Sequence, residues 1–316
     1  MPFFARLSPM NRQRIVVLGS TGQLGTDLVE VLRLDDKYET LTLTHADCDC
    51  TNADEVVKVV RNLHPDVMIN CAAYVRVDDC EDHAREAFGV NAIGAGNVAR
   101  ACAAVEALCV YISTDYVFDG SKGSPYVESD PTRPINVYGA SKVAGEYLVQ
   151  QAAPDSLIVR TSSLFGKTGA RGKGGNFVET IVAKAKAGET LRVVDDMTMS
   201  PTYARDAATA LVELIKTKAD GIVHLTNDGA CTWYEFAKQI VDIMGLHAAI
   251  DPVSSKEYPT RARRPENSAL RSEHAAVGLR SWQDGVRAYL FEKGYGVEPG
   301  NPRLADGGRR SFIIGH

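Results

Sequence analysis

Three glycines spaced three residues apart stand between a predicted strand and a predicted helix. Gly19, Gly22 and Gly25 follow the apolar run 15–18, and the apolar residues of 24–32 recur at helical spacing. The first glycine permits a tight turn, the second lets a pyrophosphate approach the backbone, and the third lets helix and strand pack closely. The free N–H groups of the following helix favour an anion. The segment therefore predicts a dinucleotide-binding site at the start of a parallel sheet.

Short apolar runs alternate with helical patterns through the first half of the chain. Such alternation predicts a parallel sheet with helices on both faces, and the nearly continuous apolar runs indicate strands that are buried on both sides. The fold class is therefore α/β, a Rossmann-type doubly wound parallel sheet with a smaller α/β C-terminal substrate-binding part. Strands are predicted at 15–18, 41–43, 66–70, 108–112, 156–159 and 222–225, and helices near 24–32, 53–63, 84–105, 137–150, 177–187 and 232–244.

The division of the chain into parts follows from these elements. The dinucleotide-binding domain is expected to include the strand near 222–227, because the segment before it is less regular. A glycine- and cation-rich stretch, 166–175, predicts a flexible loop. The expected parts are 12–165 with about 204–227 for the dinucleotide-binding domain, 166–203 and 228–297 for the substrate-binding part, and 1–11 and 298–316 for flexible tails.

Composition excludes several classes of protein. The net charge of −5 argues against a broad nucleic-acid surface, which needs clustered Lys and Arg. The seven cysteines form no C-x-x-C pair and are odd in number, which favours a reducing, cytoplasmic compartment. No apolar run reaches the roughly 18 residues of a membrane-spanning helix. The scattered histidines show no metal-ligand spacing, so no metal site is predicted.

A tyrosine and a lysine four residues apart carry the chemistry. Tyr138 and Lys142 share one face of a predicted helix. The pKa of a free phenol is about 10, and a nearby ammonium together with an oxidised nicotinamide ring would lower it. Tyr138 then suits proton transfer to a carbonyl oxygen. Thr114 follows the fourth strand, at the sheet edge where such sites lie. An ordinary surface pair on a helix is the alternative for the two residues alone.

Longer stretches show a resemblance to a known family. The chain resembles the extended short-chain dehydrogenases/reductases, and in particular the dTDP-4-dehydrorhamnose reductase family, from about Arg14 to Lys293. The stretches that carry the similarity are ISTDYVFDG (112–120), PINVYGASKVAGE (134–146), SPTYARD (200–206), WYEFA (233–237) and RRPENSAL (263–270).

The resemblance implies roles for individual residues. It places Thr114, Tyr138 and Lys142 in the catalytic group, and it implies that Tyr138 and Lys142 also bind the cofactor. It also implies NADPH or NADH as cofactor, a nucleotide-sugar substrate, a homodimer and, by resemblance only, Mg²⁺. The further cofactor positions are Gly19, Thr21, Gly22, Gln23, Leu24 and Gly25 at the pyrophosphate, Asp49 and Cys50 at the adenine, and Ala72, Ala73, Tyr74 and Asn91 nearby.

Two residues near the expected substrate depart from the family pattern, and the first of them is also an expected substrate contact. Arg76 stands where the family usually has a small residue; it is either a solvated charge or a contact of the sugar-nucleotide phosphate. Ser163 stands where many relatives have a tryptophan beside the sugar. Arg264, in a basic segment of the C-terminal part, is either a solvated charge or a diphosphate contact by fold-level analogy. Asp115 and Tyr116, next to the catalytic threonine, are the remaining expected substrate contacts.

The end of the second strand bears on the nicotinamide cofactor. An acid there would hydrogen-bond the ribose 2′-OH of NAD and repel a 2′-phosphate. The sequence has Thr44 and His45 at that point, and the first acid is Asp47. No arginine nearby binds a phosphate, so NADPH is favoured only slightly over NADH.

The predicted function is reduction of a nucleotide-linked 4-keto-6-deoxy sugar, with hydride transfer to the C4 ketone and Tyr138 as proton donor. The alternative is a non-catalytic dinucleotide-binding regulatory subunit, since the chain also resembles the β subunit of methionine adenosyltransferase. A related epimerase or dehydratase is a third candidate. A dehydratase would need an acid pair beside Thr114, where Asp115 is followed by Tyr116.

Overall fold

The computed structural model describes residues 12–169, 175–274 and 278–299. The predicted tail 1–11 and most of 298–316 lie outside the described residues, as does the middle of the predicted loop 166–175. In chain order the strands are β1 (Gln13–Leu18), β2 (Tyr38–Leu43), β3 (Val67–Asn70), β4 (Leu108–Thr114), β5 (Leu157–Thr161), β6 (Leu164–Phe165), β7 (Leu191–Val194), β8 (Thr198–Met199), β9 (Thr202–Tyr203), β10 (Gly221–His224), β11 (Cys231–Thr232) and β12 (Ile250–Val253).

Six of these strands form one parallel sheet, in the order β10-β5-β4-β3-β1-β2. The predicted fold class, a doubly wound Rossmann-type sheet, is confirmed. From β1 the chain crosses to β2 on one side and then returns to β3 on the other. Ligands of such sheets bind outside the carboxyl ends of the strands, at the point where the order reverses. The glycine turn after β1 lies at this point.

The helices cover both faces of the sheet and build the C-terminal part. In chain order they are α1 (Gln23–Arg33), α2 (Ala53–Leu63), α3 (Val77–Asp82), α4 (Ala84–Phe88), α5 (Ala95–Ala103), α6 (Val137–Ala152), α7 (Phe177–Lys186), α8 (Ala204–Lys216), α9 (Trp233–Ile243) and α10 (Trp282–Glu292). A π-helical turn, Gly89–Gly94, joins α4 to α5.

The central sheet is buried on both faces because successive strand residues point to opposite sides. Ile15 and Val17 of β1 pack with Leu28 of α1 and Leu211 of α8. On the other face, β1 packs against α2, α5 and α6. Burial on both faces explains why the sequence shows continuous apolar runs instead of alternation.

A third hydrophobic cluster belongs to the C-terminal part and is rich in aromatic side chains. Phe165 stacks on Tyr203, with ring centroids 5.7 Å apart, and meets Tyr289 edge-on at the same distance. Phe236 and Trp282 add two more rings. The cluster joins β6 and β9 to α9 and α10, so this part of the chain packs around its own core.

The predicted elements differ from the structure in several places. The single helix predicted at 84–105 is interrupted by the π-helical turn and ends at Ala103. Short α3 escaped prediction because six residues carry no periodicity, and α8 and α10 were not predicted as helices. Strand β2 begins three residues before its predicted start because Tyr38 and Glu39 pair with Gln13 and Arg14 of β1.

We expect Gly145→Ala in α6 to destabilise the protein by roughly 1–3 kcal/mol, the usual cost of overpacking a core. A Cβ at this position would overlap the carbonyl oxygen of Asn91 and the hydroxyl of Tyr111. The matched control is Gly89→Ala, since a Cβ there meets no atom within 4 Å and the backbone is helical. Denaturant unfolding measures both variants. Equal stability of the two would contradict this account of the packing of α6.

Candidate active site

A cavity of about 850 Å³ opens at the carboxyl ends of β1, β3 and β4. Its walls come from the glycine turn, the turn after β2, the segment after β3, helix α6 and the start of α7 and α9. The dinucleotide-binding sheet and the C-terminal part therefore face the same space. Small-molecule sites commonly lie at such a boundary between two parts of a chain.

The glycine turn approaches its neighbours too closely for side chains. Gly19 has φ +78°, and a Cβ there would lie 2.8 Å from the backbone nitrogen of Ala72. A Cβ on Gly25 would overlap the carbonyl oxygen of Gly19. Gly22 begins α1 with no side-chain cap, and the first turn of α1 holds no acidic residue. The helix N-terminus thus presents N–H groups to the cavity and suits an anion.

The other predicted cofactor residues lie mostly on the wall of the cavity. Asp49 accepts bonds from the backbone and the hydroxyl of Thr51, which lower the pKa of its carboxyl group. Burial raises the pKa of the Cys50 thiol to about 11, so this thiol is neutral at pH 7. Those that line the cavity are Gly19, Thr21, Gly22, Gln23, Leu24, Gly25, Asp49, Cys50, Ala72, Ala73 and Tyr74.

Asn91 has a different place from the other predicted cofactor residues. It lies in the π-helical turn, is fully buried and is not part of the cavity wall. Its Oδ1 accepts from the backbone N–H of Tyr74 at 2.8 Å, and its Nδ2 donates to the Tyr74 carbonyl at 3.1 Å and to the Ser141 hydroxyl at 2.9 Å. Asn91 therefore connects the segment after β3 to α6 without lining the cavity itself.

The three predicted catalytic residues meet at the cavity. Thr114 ends β4, and Tyr138 and Lys142 lie on the first two turns of α6. Helix α6 begins here because the Asn136 side chain accepts a hydrogen bond from the backbone N–H of Gly139 at 2.7 Å. The Thr114 hydroxyl donates to Asp115 Oδ1 at 3.0 Å.

Burial controls the ionisation of this group. It raises the pKa of Tyr138 well above that of a free phenol, and the Thr114 hydroxyl opposes the shift. Burial also lowers the pKa of Lys142 to about 7, and the charge of Glu146 opposes this change. The lowered Tyr138 pKa expected beside an oxidised nicotinamide stays a prediction; in the structure, desolvation by burial is the largest influence on this pKa. The Lys142 ammonium donates to the Ile112 carbonyl at 2.6 Å.

The two arginines predicted to meet the substrate are held by aspartates. Arg76 Nη2 lies 2.7 Å from Asp79 Oδ2, and its side chain is half exposed. Arg264 binds both oxygens of Asp78, at 3.1 and 2.8 Å, and also contacts the Tyr116 hydroxyl. Neither arginine lines the cavity. Their expected role as phosphate contacts stays a prediction, and each has a carboxylate partner in the structure.

Asp115 and Tyr116 follow the catalytic threonine and make different contacts with their neighbours. Asp115 lines the cavity, but its buried carboxylate accepts from Thr114 and from the Ser162 hydroxyl at 2.9 Å, and burial raises its pKa. Tyr116 meets the Tyr138 ring edge-on, with centroids 6.1 Å apart. Tyr116 also lines the cavity, and substrate contact by either residue stays a prediction.

One wall of the cavity is aromatic and was not predicted from the sequence. Phe177 and Trp233 pack edge to face with centroids 4.8 Å apart, and Phe236 stacks on Phe177 at 5.5 Å. Ser163, which the resemblance marks as a departure from the family pattern, lines the same cavity with φ +43°. The stretch WYEFA marked this region as a family feature without indicating a wall. Aromatic residues from α7 and α9 are 56 positions apart in sequence, so no local pattern joins them.

Within 12–169, 175–274 and 278–299, no group of three or more His, Cys, Asp and Glu is arranged to hold a metal ion. The Mg²⁺ that the resemblance implies stays a prediction. Over the same ranges no helix is long and apolar enough to cross a membrane.

The fold and the site together define an oxidoreductase that uses a nicotinamide dinucleotide. The chain belongs to the RmlD substrate binding domain family, whose model matches residues 13–294. The expected family and enzyme class are confirmed.

Several relatives cover nearly the whole chain. A dTDP-4-dehydrorhamnose reductase of Mycolicibacterium smegmatis is 38% identical over 309 residues, which is 94% of this chain and 92% of the relative. The spore coat polysaccharide biosynthesis protein SpsK of Bacillus subtilis is 38% identical over 89% of this chain and 98% of its own. A solved structure of dTDP-4-dehydrorhamnose reductase from Bacillus anthracis, in complex with NADP, has a TM-score of 0.84 at 38% identity and covers 89% of this chain and 99% of that one.

We expect Asn91→Ala to weaken dinucleotide binding several-fold and to reduce the free energy of unfolding by about 1–3 kcal/mol. It removes three buried hydrogen bonds and leaves Tyr74 backbone groups without partners. Calorimetric titration with NADPH and denaturant unfolding measure the two effects. Asn62→Ala, at an exposed position of α2, is the control. Unchanged affinity would show that the segment after β3 needs no support from Asn91.

Proposed function

We propose that the chain reduces a nucleotide-linked 4-keto-6-deoxy sugar, of the dTDP-4-dehydrorhamnose type, with NADPH. The observation that carries the proposal is the single cavity into which the glycine turn, Thr114, Tyr138 and Lys142 all open. The identity of 35–38% to relatives named as such reductases supports the substrate class. The Bacillus anthracis relative in complex with NADP supports the cofactor.

The residues at the glycine turn fit a dinucleotide. Gly19 and Gly25 let the turn pack closely on its own backbone, Gly22 leaves room for a pyrophosphate to approach, and the uncapped start of α1 offers N–H groups to it. When bound, the nicotinamide supplies the hydride that reaches C4 of the sugar. Cofactor and sugar then share the cavity, with the sugar toward Tyr138.

Tyr138 is the proton donor in this proposal. Its raised pKa keeps the phenol protonated at neutral pH, which suits the direction of ketone reduction. As negative charge develops on the sugar oxygen, the phenol donates its proton to that oxygen. The Lys142 ammonium stabilises the phenolate that remains, and Thr114 orients the oxygen by a hydrogen bond.

The aromatic wall is proposed to receive the rest of the substrate. Phe177 and Trp233 present ring surfaces at the end of the cavity formed by α7 and α9. Stacking on aromatic rings favours flat bases and sugar faces. Ser163 of this chain stands at the position where the family resemblance implies a tryptophan beside the sugar. We propose that the Phe177 and Trp233 rings provide the aromatic contact with the substrate instead.

The alternative of a non-catalytic regulatory subunit has no observation of its own in the site. The residues that would bind a dinucleotide in such a subunit are those that serve the reductase. A panel of nucleotide-linked 4-keto sugars, with NADPH oxidation followed by absorbance, separates the two. Turnover of a dTDP-linked 4-keto-6-deoxy sugar supports the proposal, and its absence across the panel would contradict it.

We expect Tyr138→Phe to lower kcat by about 10²–10⁴-fold, because the proton donor is lost. NADPH affinity and stability should change little, since the ring and its contact with Tyr116 remain. Tyr147→Phe on the same helix is the control, because that side chain is 62% exposed. Steady-state kinetics and a binding titration measure both variants. Activity near that of the parent in Tyr138→Phe would refute the assigned role.

We expect kcat/KM to be higher with NADPH than with NADH, and the preference to grow several-fold in Asp47→Asn. Thr44, His45 and Ala46 line the cavity at the end of β2. The Asp47 carboxylate accepts from the N–H and the hydroxyl of Thr44, and these bonds lower its pKa, so it is charged at pH 7. Removing this charge reduces repulsion of a 2′-phosphate. The control is Asp54→Asn, in the exposed first turn of α2. A strong preference for NADH would contradict the cofactor assignment.

A further inference from the structure

One face of α6 carries three polar residues at intervals of four. Tyr138, Lys142 and Glu146 occupy successive turns, and spacing of this kind brings side chains together. Lys142 is 1% exposed and Glu146 is 4% exposed. The reaction proposed above uses the first two residues and leaves the buried carboxylate without a role.

The surroundings of Lys142 contain little negative charge. Its Nζ donates to the Ile112 carbonyl at 2.6 Å and lies 4.1 Å from the centroid of the Tyr111 ring. The thiols of Cys50 and Cys71 also face it, but burial raises their pKa to about 11 and about 12, so both are neutral at pH 7. Tyr111 and Tyr138 are neutral as well, because burial raises the pKa of each phenol. Among the described groups that act on Lys142, Glu146 is the one carboxyl group, and it favours the charged lysine.

The Glu146 carboxylate is held in place from the neighbouring strands. Arg160 of β5 donates to it through Nε at 2.9 Å and through Nη2 at 2.7 Å. Ser113 of β4 donates to Oε1 at 2.5 Å. Ser113 and Arg160 are paired directly across the β4–β5 ladder, so the sheet fixes both donors. These three hydrogen bonds fix the orientation of the Glu146 carboxylate.

Arg160 has its own support on the side away from Glu146. Its guanidinium lies 5.2 Å from the centroid of the Phe118 ring, and Nη1 lies 3.4 Å from His224 Nε2. Burial lowers the pKa of His224 to about 4, so this ring adds no charge at neutral pH. Arg160 and Glu146 thus form a buried ion pair, and Lys142 lies one turn before Glu146 on the same face of α6, at the cavity wall.

We propose that Glu146 is a positioning residue of the reductase: held by Arg160 and Ser113, it keeps the Lys142 ammonium protonated beside Tyr138. This inference rests on the proposed function, since it assigns the charged lysine a part in the reduction. Without Glu146, Lys142 and Arg160 would be two buried cations with no anion between them. Lys142 would then lose its proton at a lower pH, because buried like charges disfavour protonation.

The direct test is a pH titration of Lys142 in the whole protein, with lysine labelled at ¹³Cε and the resonance assigned by its loss in Lys142→Met. In Glu146→Gln we expect the midpoint to fall by about one pH unit or more. Glu146→Asp should restore part of the shift. The control is Glu213→Gln, which breaks an exposed pair with Lys216 and should leave the midpoint unchanged. An unchanged midpoint in Glu146→Gln would overturn the proposal.

If Glu146→Gln does not fold, a second pair of variants still tests the coupling between Glu146 and Lys142. Arg160→Met and the double variant Glu146→Gln/Arg160→Met differ only in the carboxylate, and the double variant leaves no unpaired guanidinium. We expect a lower Lys142 midpoint in the double variant than in Arg160→Met. Equal midpoints would contradict the coupling.

The kinetic readout connects this coupling to catalysis. Because reduction needs the charged lysine, kcat should decline as pH rises, and Glu146→Gln should move this decline to lower pH by the same amount as the NMR midpoint. If the NMR midpoint of Lys142 moves but the pH at which kcat declines does not, the proposed role of the charged lysine in catalysis is overturned. If no nucleotide sugar is reduced by the parent protein, the proposed function fails, whereas the NMR midpoint still decides whether Glu146 sets the charge of Lys142.

Discussion

The close approach of α6 to the central sheet is the contact on which the site depends. It is possible only because Gly139 and Gly145 have no side chains, since a Cβ on either would overlap the backbone of Tyr116 or of Asn91. This packing brings Lys142 to 1% exposure and Tyr138 to the cavity wall. The same contact lets Asn91 reach both Ser141 and the segment after β3, so the catalytic helix and the cofactor wall are fixed together.

Burial of this helix face has an electrostatic cost that the neighbouring strands offset. Desolvation disfavours both the Tyr138 phenolate and the Lys142 ammonium. The phenol is therefore kept as a proton donor, and the ammonium needs an anion nearby to remain charged. Glu146 is that anion, and its position is set by Arg160 and Ser113 on the sheet. In this account the sheet positions the proton donor and also determines the charge beside it.

Local patterns were sufficient to predict the sheet, the glycine turn and the meeting of Thr114, Tyr138 and Lys142, because each depends on spacing within one element or on the edge where parallel strands end. They failed where a partner is distant in sequence. Arg264 is held by Asp78, 186 residues away, and the aromatic wall joins α7 to α9. The resemblance could not indicate that Asn91 binds the backbone of Tyr74 and the hydroxyl of Ser141, because these partners lie 17 and 50 residues away. The domain division, the individual cofactor contacts and a homodimer stay predictions.

In the proposed reaction a hydride passes from C4 of the reduced nicotinamide to C4 of a nucleotide-linked keto sugar bound in the cavity. Incubation of a dTDP-linked 4-keto-6-deoxy sugar with NADPH deuterated at C4 of the nicotinamide tests this directly, with the product analysed by NMR. We expect one deuterium, bound to C4 of the sugar, in a product with a single configuration at that carbon. A reduced product without deuterium at C4 after transfer from either face of the nicotinamide, or oxidation of the cofactor without sugar reduction, would contradict the account.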